Sequence, residues 1–221
     1  MSKQPYTSYN PFFLIPFIAW VAIGGLLLIF FDKQILFAAV NTHYNAVGDV
    51  TMFYTTWIGE GVTITTLLLL LLFVIPAFRN WWYFITALLC NVLPTLVTQY
   101  VKHAANAPRP LKYFHEADWV HILPAWPRLY NQSFPSGHST GAFALFCFLS
   151  MLLPLKYNKV GLLFFCLALA VAYSRLYVAA HFFADVYTGS IIGGSVSLAT
   201  FSVMRRYQHY FFKKTNSLTN P

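Results

Sequence analysis

Three short strings that carry charged and small residues lie in order along an otherwise apolar chain. They are Lys102-(six residues)-Arg109-Pro110, Pro135-Ser136-Gly137-His138 and Ser174-Arg175-(five residues)-His181-(three residues)-Asp185. Together they supply three cations, two histidines, a carboxylate and a Ser-Gly turn. That set of side chains suits the binding of a phosphate dianion while one histidine attacks phosphorus and the other protonates the leaving oxygen.

The first string predicts a pair of cations that bind phosphate. Lys102 closes an apolar segment, and Arg109 follows after a proline-containing turn that Pro110 is expected to support. Two cations beside the hydrocarbon need a partner. A shared phosphate would serve both, with arginine as a planar fork and lysine as a point charge. The alternative is that both side chains only reach toward the membrane interface.

The second string predicts the start of a helix that binds an anion. Pro135 and Gly137 favour a tight turn, and the helix that follows begins with free N–H groups at its positive end. We expect the Ser136 hydroxyl and the Gly137 amide to bind phosphate oxygens. His138, at the mouth of this helix, suits the general acid that protonates the leaving oxygen.

The third string predicts a histidine that is oriented by a carboxylate. His181 and Asp185 are four positions apart, so they share one face if the segment is helical. The carboxylate can then accept the N–H of one ring nitrogen and leave the other with an oriented, more basic lone pair. Arg175 would supply the third phosphate cation, and Ser174 would support the loop. The alternative for Asp185 is a simple helix cap.

This chemistry requires the two histidines to differ in protonation. His181 must be neutral to attack, and His138 must start protonated to donate. No metal and no cofactor is expected, because three cations and a helix end can stabilise the transferring group and the chain lacks the carboxylate cluster of a magnesium site. The remaining histidines and the cysteines are expected to be non-catalytic, namely His43, His103, His115, His121, His209, Cys90, Cys147 and Cys166.

The composition indicates what must position these strings. Of the 221 residues, 58% are hydrophobic and only 9% are charged, whereas a soluble domain has about 25% charged residues. Because a membrane span needs about 20 apolar residues, we predict an all-α membrane helix bundle with about six transmembrane helices, in one domain of residues 1–221. The predicted spans are Phe12–Phe31, Gly61–Phe78, Trp81–Val101, Ser139–Leu155, Val160–Ser174 and Val186–Met204. The first is alternatively a cleaved signal peptide, although no small-residue cleavage site follows it.

Two segments outside the predicted spans carry further signals. Between Asp32 and Gly59, apolar and polar residues alternate in a way that favours short helices in the membrane interface. Between Lys102 and His138, five prolines exclude a continuous helix, and we predict a loop with one short helix near Trp119–Leu123. We expect both segments to frame a route for lipid access; the alternative is that they only cover helix ends.

The distribution of charge predicts the orientation of the bundle. Cytoplasmic segments carry an excess of lysine and arginine, which places both termini inside and all three strings outside. All six acidic residues then lie outside, whereas eight cations lie inside. The inner cations are Lys3, Arg79, Lys156, Lys159, Arg205, Arg206, Lys213 and Lys214. The last four belong to a basic tail that either lies on anionic lipid or only sets the topology.

The three strings resemble the tripartite signature of the type 2 phosphatidic acid phosphatase superfamily. Every motif residue and spacing matches, over the region from Lys102 to Asp185. The resemblance implies that the histidine of the third string, His181, attacks phosphorus and forms a phosphohistidine that water then hydrolyses. In a membrane chain it also implies a lipid-borne phosphate as the substrate.

We therefore expect a metal-independent lipid phosphatase of the cytoplasmic membrane with its active site on the outer face. Candidate substrates among similar proteins are undecaprenyl diphosphate, phosphatidylglycerophosphate, phosphatidic acid and lipid A. Two alternatives stay open, a lipid phosphotransferase that uses the same site and a non-catalytic membrane transporter or partner. No nucleic-acid partner is expected, and neither the lipid nor the oligomeric state follows from the sequence.

Overall fold

A computed structural model describes residues 9–212, and every regular element in this range is helical. The helices are α1 (Pro11–Phe30), α2 (Lys33–Asn41), α3 (Ala46–Ile58), α4 (Gly61–Val74), α5 (Trp81–Ala105), α6 (Pro110–Tyr113), α7 (Gly137–Met151), α8 (Val160–Tyr177) and α9 (Phe183–Arg206). Single turns of 3₁₀-helix cover Pro76–Phe78, Leu155–Tyr157 and Gln208–Tyr210. The all-α fold predicted from composition is confirmed.

The lengths of the helices show how the chain meets a bilayer. Within residues 9–212, the helices α1, α5, α8 and α9 are long and apolar enough to cross one, and α3 and α4, which meet at 60°, form a fifth candidate when taken together. The central helix α7 has 15 residues, or about 22 Å of length, which is shorter than the hydrocarbon core. The chain is a membrane protein, and the number of six spans stays a prediction.

Several boundaries differ from the predicted ones in informative ways. α8 continues through Arg175, and α9 begins before Asp185, so both motif residues belong to the ends of long helices, as expected. The segment from 32 to 59 forms the short helices α2 and α3. The helix predicted near Trp119–Leu123 is wrong, since that stretch consists of turns and irregular chain. The short helix starts instead at Pro110, where a proline at the first helical position needs no N–H partner.

The helix α7 forms the core of the bundle, enclosed by α4, α5, α8 and α9. Every side chain from Ala142 to Phe148 is buried. α9 crosses α7 at very short range, because a Cβ atom on Gly193 would lie 2.2 Å from the carbonyl oxygen of Thr140. Small residues allow helix backbones in a membrane to approach in this way. The close crossing fixes the start of α7 beside the start of α9.

The helix directions place the three motif strings at one end of the bundle. α5 and α8 end there, with Lys102 and Arg175 in their last turns, whereas α7 and α9 begin there, at Gly137 and Phe183. The same helix directions place the predicted inner cations at the opposite end of the bundle. Those among the described residues are Arg79, Lys156, Lys159, Arg205 and Arg206. Lys3, Lys213 and Lys214, with much of the predicted basic tail, lie outside the described residues.

Candidate active site

Six of the predicted site residues line one groove that opens between α4 and α5. They are Lys102, Arg109, Gly137, His138, Arg175 and His181. The groove has a volume of about 850 Å³. Residues from five different segments of the chain therefore converge on one place, which is the arrangement that the motifs predicted.

Arg109 holds the proline-rich loop against the site. Its side chain donates to the carbonyl oxygens of Asn131 at 2.8 Å and of Ala180 at 3.0 Å. One guanidinium nitrogen, Nη1, also lies 3.4 Å from Nε2 of His181. Burial lowers the pKa of Arg109, which the nearby Asp185 opposes. Arg109 therefore presents its charge beside the ring nitrogen that would attack phosphorus.

Arg175 lines the groove and is almost completely buried, with 1% exposure. Its Nη1 donates to the hydroxyl of Thr56, at the end of α3. Its guanidinium lies 4.7 Å from the centre of the Trp126 ring, a cation–π contact that strengthens when water is excluded. A buried cation of this kind is costly without an anionic partner, and a bound phosphate would supply one.

His181 lies in the loop between α8 and α9, directly before the turn that starts α9. Its Nδ1 lies 3.4 Å from Oδ2 of Asp185. Asp185 also accepts the backbone N–H of Phe182 at 2.9 Å and the hydroxyl of Ser133. The carboxylate therefore caps α9, which is the second alternative for Asp185, and it faces the non-helical His181 without a hydrogen bond. Orientation of the ring by Asp185 stays a prediction.

Electrostatics favour a neutral His181. Burial, followed by the charges of Arg109, Arg175 and Lys102, holds the pKa of His181 well below its ordinary value. Because a guanidinium can only donate, the approach of Arg109 assigns the lone pair to Nε2 of His181 and the ring proton to Nδ1, which lies 3.4 Å from Asp185. The nitrogen that is predicted to attack phosphorus is thus deprotonated, and the cations near it are those predicted to hold a phosphate.

The start of α7 meets the groove through its backbone. No atom lies within 4 Å of the position where a Cβ would stand on Gly137, so the space beside this amide is open. The Ser136 hydroxyl is buried. It accepts from the backbone N–H of Ser139 at 3.4 Å and from the Ser139 hydroxyl at 3.1 Å. Ser136 therefore caps the helix, and its contact with phosphate stays a prediction.

The three residues predicted to have supporting roles are not among the residues that line the groove. Ser174 is buried and donates to the Val171 carbonyl at 2.7 Å. Pro110 is buried as the first residue of α6, and Pro135 follows a cis peptide bond. These positions are consistent with support of the chain rather than with contact to a ligand.

The corner between α3 and α4 brings to the site a residue that the three strings do not contain. Glu60 precedes α4, and its Oε2 lies 2.9 Å from Nε2 of His138. Gly59 allows this approach, since a Cβ there would lie 3.0 Å from the His138 carbonyl oxygen. The sequence predicts short interfacial helices up to Gly59, and the Gly-Glu-Gly sequence between two apolar runs is the one local sign of a corner there.

The groove continues away from the charged residues as a largely apolar trough. Its walls below the site are residues of α4, from Ile64 to Leu72, and of α5, from Phe84 to Leu96. The stretch from Gly61 to Leu72 is about 17 Å long. One groove therefore joins the cluster of Lys102, Arg109 and Arg175 to this trough.

Comparison with known proteins identifies relatives of this arrangement. A model of the PAP2 superfamily matches residues 79–209. Two curated proteins described as lipid A 1-phosphatase, from Rhizobium etli and Rhizobium johnstonii, are 29% and 27% identical over 188 residues, or 85% of this chain. This chain spans just under two thirds of the length of these relatives, 66% and 63%.

Solved structures share the fold. The crystal structure of Aquifex aeolicus LpxE has a TM-score of 0.66 and 26% identity, and covers 79% of this chain and 98% of its own. A transmembrane PAP2 type phosphatidylglycerolphosphate phosphatase from Bacillus subtilis has a TM-score of 0.62 and 20% identity, and covers 95% of this chain and all of its own, 100%. The resemblance seen in the three motif strings is thereby confirmed.

Proposed function

This chain belongs to the PAP2 superfamily, and from that premise we propose that it is an integral-membrane lipid phosphatase acting through a phosphohistidine. The observation that carries the proposal is the groove that joins three cations and a neutral histidine to an apolar trough. A phosphate fits the cations, and a lipid tail fits the trough. All 221 residues are assigned to one phosphatase domain.

The first half of the reaction forms a covalent intermediate. Nε2 of His181 attacks phosphorus, and the bond from phosphorus to the leaving oxygen breaks with its electron pair staying on that oxygen. His138 donates a proton to the oxygen as it leaves. Asp185 holds the ring of His181 and stabilises the positive charge that develops on it.

The second half regenerates the site. Water attacks the phosphohistidine, the bond from phosphorus to nitrogen breaks, and the electron pair returns to Nε2 of His181. The proton of the attacking water passes to His138. Throughout, Lys102, Arg109, Arg175 and the amide of Gly137 hold the phosphate oxygens, so no metal ion is required for charge stabilisation.

Lipid A bearing a 1-phosphate is the first substrate to test, because two relatives are described as lipid A 1-phosphatases. Purified protein is expected to release phosphate from at least one lipid in a panel of this lipid, phosphatidylglycerophosphate, phosphatidic acid and undecaprenyl diphosphate, in the presence of a chelator. Absence of release from every lipid would refute the proposed function. Labelled phosphate found on a second lipid would indicate a phosphotransferase instead.

The trough offers a paired control for the lipid tail. Leu69 lines the groove, whereas its neighbour Leu70 does not, and both are half-exposed, at 42% and 53%. Leu69→Trp is expected to raise KM for lipid phosphates by about tenfold with little effect on a short soluble phosphate ester. Leu70→Trp should change neither. Equal effects of the two substitutions would argue against the trough as a tail site.

We place the active site on the outer face of the cytoplasmic membrane, with both termini inside. The support is the position of the described inner cations at the end opposite the site. Trp119 and Tyr157 lie toward opposite ends and are exposed by 43% and 51%. In intact cells, a membrane-impermeant maleimide should label the Trp119→Cys variant and should reach the Tyr157→Cys variant only after lysis. The reverse pattern would invert the topology.

A further inference from the structure

The carboxylate of Glu60 has no role in the signature motifs, yet it touches one of their two histidines. Its Oε2 lies 2.9 Å from Nε2 of His138, at a side-chain exposure of 39% against 20% for the histidine. Glu60 occupies the N-cap position of α4 but makes no side-chain capping hydrogen bond. Its side chain is directed at His138 rather than at the helix it precedes.

The charges around His138 make such a partner necessary. Burial, and after it the charges of Arg175 from α8, Lys102 from α5 and Arg109 from the loop, lower the pKa of His138 to about 2. Three fixed cations oppose a further positive charge on the imidazole. The general acid must nevertheless hold a proton when substrate binds, and Glu60 is the carboxylate in contact with it.

The local packing shows that this contact is built into the fold. The corner between α3 and α4 lies directly against the start of α7, because a Cβ atom on Gly59 would lie 3.1 Å from the Cβ of His138. The same corner supplies Thr56, which accepts from Arg175. Glu60 is therefore held beside His138 by the same corner that contacts Arg175, one of the cations proposed to bind phosphate.

We propose that Glu60 is the positioning residue of the general acid, holding His138 charged and aimed as Asp185 does for His181. Glu60 itself neither loses nor gains a proton during the catalytic cycle. When His138 gives its proton to the leaving oxygen, the contact with Glu60 weakens. The contact between Glu60 and His138 re-forms when the attacking water gives a proton back to the His138 ring. The inference rests on the proposed phosphatase function.

The test compares two leaving groups, because a poor one needs an acid and a good one does not. The probes are an alkyl phosphate and a nitrophenyl phosphate that carry chains of the same length. Glu60→Gln should lower kcat/KM for the alkyl phosphate by about 10–100-fold and for the nitrophenyl ester by less than about threefold. The limb of the pH–rate profile that falls at high pH should move to lower pH, because the charged ring has lost its partner.

Two further variants separate this role from a structural one. Asp49→Asn is the matched control, since Asp49 pairs with His121 at 2.8 Å outside the groove; it should leave the ratio of the two rates unchanged. In a His138→Ala background, Glu60→Gln should have no additional effect. Equal losses on both probes, or additive losses in the double variant, would overturn the proposal.

The conservative variant covers the case in which Glu60→Gln does not fold. Glu60→Asp keeps the charge but shortens the reach, so it should shift the ratio and the pH limb in the same direction by a smaller amount. An unchanged ratio and limb in Glu60→Asp would then overturn the inference. Wild-type protein that hydrolyses neither probe nor any lipid would refute the phosphatase function itself, which is a separate outcome.

Discussion

Replacement of His181 by alanine is expected to lower phosphate release by about 10⁴-fold or more, because it removes the atom that bonds to phosphorus. The ring has 1% exposure, and its Nε2 lies 3.4 Å from Arg109. The covalent intermediate gives a second readout. Wild-type protein denatured at alkaline pH during turnover of a labelled substrate should carry phosphate that is stable to base and released by acid, and the His181→Ala variant should carry none.

The matched control for this prediction is His121→Ala. His121 also faces a carboxylate, Asp49, and is partly buried, but it lies outside the groove. Its loss should affect thermal stability and leave kcat within about threefold of wild type. Full activity in His181→Ala, or labelled phosphate on that variant, would show that another group attacks phosphorus.

The parts of the site that follow from the sequence are those held by local chain geometry. A Ser-Gly pair before an apolar run indicates a helix start, and α7 begins at Gly137. Charged residues at the ends of apolar runs indicate the ends of spans, which places Lys102 and Arg175 at one end of the bundle once the helix directions alternate. Short-range rules were sufficient there because each depends on a few neighbouring residues.

The parts that do not follow depend on contacts between distant segments. Nothing near Glu60 in the sequence indicates that it meets His138, since the contact depends on the 60° bend between α3 and α4 and on the absence of a side chain at Gly59. The contacts of Thr56 and Trp126 with Arg175 likewise join segments that are far apart in the sequence. The contact of His181 with Asp185 was predicted from helical spacing, but it arises from the capping turn of α9.

The second large effect is expected at Arg175, where a change of shape should matter even if the charge is kept. Arg175→Lys retains a cation but loses the planar fork, the bond to Thr56 and the face-on contact with Trp126. Since the ammonium group of lysine is more strongly hydrated and offers no bidentate geometry, we expect kcat/KM to fall by about 10²–10³-fold. Inhibition by orthovanadate, which imitates five-coordinate phosphorus, should weaken in parallel because the same oxygens lose a donor.

A surface arginine distinguishes loss of this site from a general effect of the substitution. Arg128 forms an ion pair with Glu116 and has a side-chain exposure of 56%, so Arg128→Lys should change neither kcat/KM nor vanadate inhibition. The two readouts also separate binding from folding: a destabilised Arg175→Lys protein would lose active fraction but keep its vanadate affinity. Wild-type kcat/KM in Arg175→Lys would mean that a point charge suffices at this position and that Lys102 and Arg109 supply the directional contacts to phosphate.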